Sequence, residues 1–137
     1  MEEALLSRLR ASAAVIAAAG AYNGRPTIDY GERVSNADAA FPAAVLSIIS
    51  PGASYDHGGR DGLSQPRLRC KIFGVTPYTA WLLARAITDE LETAKTVNGV
   101  RFHRARVAGG VDLDPEDIEG GLTVFPRVRD FFLPYTL

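Results

Sequence analysis

The chain has 137 residues, of which 47% are hydrophobic and 23% charged, with 15 Lys and Arg against 16 Asp and Glu. This composition predicts one globular domain spanning residues 1–137, and a net charge of −1 gives no bulk attraction to nucleic acid or to an anionic membrane. The lone cysteine, Cys70, excludes an intramolecular disulfide framework and suits a reducing compartment, and no apolar run approaches the ~20 residues of a membrane span.

A first helix is expected from Glu2 to Ala19. Its acidic start complements the positive helix N-terminus, Gly20 is a plausible stop, and Leu5, Leu9, Ser12, Ala13 and Ile16 fall on one face. The acidic Glu2 and Glu3, and an apolar run rich in alanine instead of leucine, argue against a secretory leader. Tyr22 to Pro26 reads as a turn, Thr27 to Val34 as a short strand and Ser35 to Pro42 as a loop.

Ala43 to Ser50 (AAVLSIIS) is apolar on both faces, as expected of a central strand or of one covered in an assembly. The polar segment Pro51 to Pro66 (PGASYDHGGRDGLSQP) reads as a loop far longer than a hairpin needs, and loops of that length are usually functional or disordered. It is expected to stay mobile until it meets a partner. Arg67 to Gly74 alternates: Leu68, Cys70 and Ile72 face one way, and Arg67, Arg69, Lys71 and Phe73 the other. In line with Leu68 and Ile72, Cys70 reads as a small buried hydrophobe.

Thr76 and Pro77 make a natural helix start, followed by a core stripe of Ala80, Leu83, Ala84, Ile87 and Leu91. Tyr78 and Leu82 lie opposite that stripe, with Trp81 on its flank, which suggests a partner surface. Asn98-Gly99 turns the chain into a strand at Val100 to Val107, with Val100 and Phe102 inward. An acidic connection runs from Asp112 to Gly121, and a last strand from Leu122 to about Pro134 carries Pro126 at a bulge or an edge. The predicted order is α-β-β-β-α-β-β. This is an α+β fold with a mainly antiparallel sheet and two helices packed on it.

Catalytic and metal signals are weak. Asp112, Asp114 and Glu116 have the first spacings of a calcium loop, but Asp117 stands where that loop needs glycine and Thr123 where it needs glutamate. Asp56-His57 has no nucleophile tied to it, and His103 has no recognisable companion ligands. Gly58-Gly59-Arg60-Asp61-Gly62 lacks the ending of a phosphate-binding loop. The expectation is a protein without catalytic, cofactor or metal residues that acts by contact with other proteins. Strand arginines, at 67, 69, 101, 104, 106, 127 and 129, are expected to pair with the acidic connection or with acids of a neighbouring subunit.

The N-terminal MEEALLSRLRASAAV, the strand VLSIIS with its Gly/Asp-containing hairpin, the strand RLRCKIFGV, the helix TPYTAWLLARAITDELE and the closing DPEDIEGGLTVFPRVRDFFLPY resemble a known family. It is the tail-completion or tail-terminator proteins of long-tailed bacteriophages, tail-like particles and gene transfer agents. Gly121-Leu122 and Asp130-Phe131 occupy positions similar to the family's closing segment, whereas Pro126 and the ornate 51–66 segment depart from it.

The resemblance implies a hexameric ring at the head-proximal end of a tail tube. Such a ring halts tube polymerisation and docks to a head connector or stopper protein. It is assembled in the bacterial cytoplasm, with no cofactor, membrane or specific nucleic-acid partner. Residues expected at its protein interfaces are Tyr55, Asp56, His57, Arg60, Asp61, Arg67, Arg69, Lys71, Tyr78, Leu82, Asp114, Glu116 and Glu119. The competing expectation is a small-molecule or nucleotide-binding α+β domain whose site lies between subunits.

Overall fold

The computed structural model describes residues 1–56, 59–118 and 120–137, and of residues 53–56 and 59–62 the backbone alone. Among the described residues, three α-helices, α1 (Glu2–Ala11), α2 (Ala13–Ala18) and α3 (Pro77–Leu91), and one 3-10 turn at Asp38–Ala40 accompany thirteen strands. The strands are β1 (Ala21–Tyr22), β2 (Arg25–Pro26), β3 (Ile28–Tyr30), β4 (Ala43–Ser50), β5 (Ala53–Asp56), β6 (Gly59–Ser64) and β7 (Arg67–Gly74). They continue as β8 (Lys95–Val97), β9 (Val100–Phe102), β10 (Arg106–Asp112), β11 (Glu116–Asp117), β12 (Thr123–Phe132) and β13 (Tyr135–Thr136).

The main sheet runs β10-β12-β7-β4-β3, with β11 also on β12. All its pairs are antiparallel except β3 with β4. A second sheet runs β5-β6-β13-β9-β8, and β1 and β2 form a small hairpin. The fold is α+β, with more strands than the seven-element order predicted.

Hydrophobic burial sits between the helices and one face of the main sheet. Leu5, Leu9, Val15, Leu46, Leu68, Cys70, Ile72, Leu83, Ile87, Leu91 and Phe131 have 0% exposure there. Helix α3 begins as the residues dictate: Thr76 Oγ1 accepts from Thr79 N at 3.1 Å, Thr79 Oγ1 accepts from Thr76 N at 3.3 Å, and Pro77 opens the first turn. All five residues of its predicted stripe are buried.

The N-terminal helix differs from expectation. Ser12 is extended (φ −71, ψ 123) and its Oγ accepts from Val15 N, ending α1 and capping α2. This break shifts the helical phase, so Val15 is buried while Ile16 is 48% exposed and Ala13 is also exposed. Arg8, only 1% exposed, ties α1 to the end of α3. It pairs with Glu90, donates to the carbonyls of Glu90 and Thr93 and lies over the Phe102 ring. The guanidinium thereby satisfies carbonyls that a helix C-terminus leaves open.

The polar 51–66 segment is not one long loop. Its backbone forms β5 and β6, a ribbon that continues from β4 and β7 into the second sheet. At the bend, Gly52 has φ +65, and a Cβ there would lie 2.1 Å from the Gln65 backbone, so only glycine fits. The predicted Val100 to Val107 strand is likewise two strands. The chain leaves the second sheet after Phe102 and enters the main sheet at Arg106, with Ala105 N donating to Leu91 O between them.

The acidic connection is part strand, since Asp112 ends β10 and Glu116–Asp117 pairs with β12. Pro126 marks no bulge, being in register with Phe73 of β7, but on its other side it lies between the last β10 pair at Arg127 and the first β11 pair at Val124, a local edge of the kind expected. Along a strand, one residue's N–H and C=O point to the same side, and Pro126 O accepts from Leu113 N. The missing N–H therefore faces Leu113, whose carbonyl receives no return bond, and the β10–β12 ladder ends at Asp112 and Arg127.

Candidate protein interface

The face of the main sheet away from the helices carries four of the residues expected at an interface, Arg67, Arg69, Lys71 and Glu116. Cross-strand register sets Val111, Val128, Lys71 and Val45 in one row across β10, β12, β7 and β4. Lys71 is exposed, while its neighbours Val45 and Val128 are 8% and 5% exposed. Two segments cover those valines without any helix. One is residues 31–36 after β3, and the other is residues 113–116 between β10 and β11. With the sheet they enclose a concavity of about 530 Å³, lined by Lys71, Phe73, Val45, Val128, Arg33 and Glu116 among others.

Arg33 spans the two covering segments. Its guanidinium lies 4.5 Å from the Phe73 ring centroid and 5.7 Å from that of Phe41, and it reaches Glu116 at 3.7 Å. Beneath it, Phe41, Ala43 and Val124 form a small apolar cluster apart from the main core.

Farther along β7, Arg67 and Arg69 converge on Asp130 of β12. Arg69 donates twice, from Nε and Nη2, each at 3.0 Å, and Arg67 donates from Nη2 at 3.2 Å. The Arg69 hydrogen bonds, with a smaller contribution from Arg67, hold the Asp130 carboxyl below its ordinary range, and the same contact raises Arg69. Behind this cluster, burial pushes the Cys70 thiol far up, and the Asp130 charge adds to the shift. Such a thiol stays protonated and behaves as the small hydrophobe its position predicted.

Asp112 plays a similar part on the helix side of the sheet. Its Oδ1 lies 3.1 Å from both Arg127 Nε and Arg129 Nη1. Of the strand arginines, Arg127 and Arg129 thus pair with the acidic connection within one subunit, Arg67 and Arg69 pair with Asp130 instead, and Arg101, Arg104 and Arg106 make no ion pair among the described residues. Asp130, Arg33 and Asp112 escaped the sequence-based choice of site residues. Asp130 had a signal, being the one carboxylate in β12, in phase with the outward residues of that strand.

Tyr78 and Leu82 are not brought to this face. They lie on α3, across the sheet from Lys71. Tyr78 is 61% exposed and stacks on Trp81, with ring centroids 6.0 Å apart and planes 20° from parallel, and Arg85 lies over Trp81. Leu82 is half-buried in a shallow trough with Ala14, Ala17 and Ala18 of α2.

Asp114 is exposed on the connection. Tyr55, Asp56, His57, Arg60, Asp61 and Glu119 fall outside the described side chains. Among the described residues, no group of three His, Cys, Asp or Glu is placed to hold a metal ion, and no helix is long and apolar enough to cross a membrane.

Neither a protein-family model nor a curated protein matches the sequence. Among solved structures, the fold is similar to a chain of the "Virion of native gene transfer agent (GTA) particle". The TM-score is 0.58 and the identity 17%, with 98% of this chain and 94% of that chain covered.

Proposed function

We propose that this protein is a non-enzymatic structural component of a tailed particle of the bacteriophage or gene transfer agent kind. In this reading it forms a ring, six copies by the family resemblance, at the head-proximal end of the tail tube. The ring stops tube growth and presents a surface to the head connector. Assembly takes place in the bacterial cytoplasm.

The observation that carries the reading is the fold likeness, over nearly the whole of both chains, to a component of a gene transfer agent virion. A cyclic ring also needs two different complementary patches on each subunit. The outer sheet face with Lys71 and the α3 flank with Tyr78 and Trp81 lie on opposite sides of the sheet, which suits that requirement.

The test is electron microscopy of the purified protein and of mixtures with the tail-tube protein of the same particle. Rings alone, and tubes that stop growing with a ring at one end, are the expected result. Tubes of the same length distribution with and without this protein would overturn the terminator role. Failure to form rings, either free or on tube ends, would overturn the ring.

A further inference from the structure

The main sheet is open along both of its sides. On one side lies β10, which pairs with β12 and with no other described strand. None of its residues is buried, and Val107 and Val111 are each 53% exposed. A bulge at Ala108 interrupts its first half. Between Arg106 and Asp112 it holds neither a charge nor a proline, the residues that usually guard such an edge. Leu113 N points to β12, so by alternation Gly110 and Asp112 turn their backbone groups outward.

On the other side, β3 pairs with β4 only at Ala44, Val45 and Leu46. Beyond them, residues 47–50 have no strand on that side among the described residues, and Ile49 is 43% exposed. The Tyr30 hydroxyl reaches there, accepting from Ile48 N at 3.2 Å in an exposed hydrogen bond.

Two observations indicate what covers these edges. Gly109 has neither a positive φ nor crowding inside the subunit, since a Cβ there would meet only Arg67 Nη2, at 3.9 Å. A missing side chain at such a position fits another backbone passing close by. The second observation is direction. Three antiparallel pairs, β4–β7, β7–β12 and β12–β10, separate the two edges, so β10 runs opposite to β4. A ring rotation that keeps the strand direction therefore brings β10 of one copy to β4 of the next in the antiparallel sense, the stronger pairing.

We propose that residues 109–112 of one copy add as an edge strand to residues 47–50 of its neighbour, so that the main sheet continues from subunit to subunit. The inference rests on the reading of the protein as a self-assembling ring and names one contact of that ring. Its two halves lie on opposite edges, about 14 Å apart across three strand spacings, so the contact repeats head to tail. Trp81 and Val107 line one cleft between α3 and β10, and residues 31–36 leave the sheet directly after β3. The α3 flank and the cover of the outer face thus border the same seam. Backbone hydrogen bonds supply the contact, and Val111 and Ile49 give it apolar cover.

The test is a thiol crosslinker of about half that span, applied to assembled protein carrying Val111→Cys and Ile49→Cys together or singly. Wild type is the control for buried Cys70. The doubly substituted chain should give a ladder of covalent oligomers, and the single variants and wild type should stay uncrosslinked. In sedimentation velocity, Val111→Lys should raise the concentration for half-assembly about tenfold or more, because an edge lysine resists strand addition. Val111→Glu should do the same, which separates blocking of the edge from a new ion pair. Circular dichroism checks that each variant is folded.

Rings without a ladder would overturn the edge contact and leave the ring reading standing, as would unaltered assembly of both charged variants. Dimers of either single-cysteine chain would also overturn it, since like edges would then meet. A wild type that stays monomeric at every concentration would overturn both.

Discussion

On one side of β7, Leu68, Cys70 and Ile72 have 0% exposure under the helices, whereas on the other Arg67, Arg69, Lys71 and Phe73 keep part of their surface in water. The inner side is held by apolar burial, which is non-directional and depends on filled volume. The outer side is held by directed contacts: two guanidinium groups on Asp130, and Arg33 over Phe73. One strand thus divides two kinds of work. Changes on the inner side should unfold the protein, and changes on the outer side should alter its acid response and its association.

The sharpest challenge to that division is Arg8, a buried charge on the helix side. Arg8→Ala strands Glu90 and the open carbonyls at the end of α3, and should cost about 3–5 kcal/mol in urea unfolding. A loss under about 1 kcal/mol would mean that the inner side needs no ion pair and is purely apolar. Leu83→Ala should cost roughly 2–5 kcal/mol, and a loss below about 0.5 would place that residue outside the core. Cys70→Ser buries a hydroxyl at a position with 0% exposure in the main core, and about 1–3 kcal/mol should be lost.

On the outer side, the Asp130 carboxyl is depressed in the folded state. Its contribution is complete above the unfolded aspartate value of about 3.9 and is lost as pH falls below that toward the depressed folded value. Asp130→Asn should therefore flatten the acid limb of a stability-against-pH curve and leave its shape above pH ~5 unchanged. A mutant that keeps the wild-type acid limb would remove Asp130 as its source. Lys71→Gln should change subunit stability least, by less than about 0.5 kcal/mol, because the group is exposed and makes no ion pair among the described residues. A larger loss would show that Lys71 belongs to the fold.

Elements specified by their own residues were legible in the sequence. Helix α3 carries its proline and its stripe within 15 residues and its cap on the residue before them, and β4 and β7 match the predicted strands in both bounds. Elements specified by distant partners were not. β6 is polar and glycine-rich, without an apolar alternation, and part of its pairing comes from Tyr135 and Thr136 near the other end of the chain. The break at Ser12 lacks glycine or proline and depends on one side-chain cap. The candidate site was legible by half: alternation aimed Arg67, Arg69 and Lys71 outward together, but nothing local reveals that residues 31–36 and 113–116 meet over Lys71.

The strand orders have a consequence for synthesis. β12 lies between β10 and β7, and β13 lies between β6 and β9, yet both are made after every strand they separate. A nascent chain that has emerged only as far as β11 has neither sheet complete, since each still lacks an interior strand. Contacts that close late join residues far apart in sequence and form slowly. Translation adds about 5–20 residues per second, so this open interval lasts on the order of a second before residues 123–136 close both sheets. A chain stalled in that window would expose the unpaired edges of β7 and β6 to other strands, which makes timely release of this short stretch the step most exposed to aggregation.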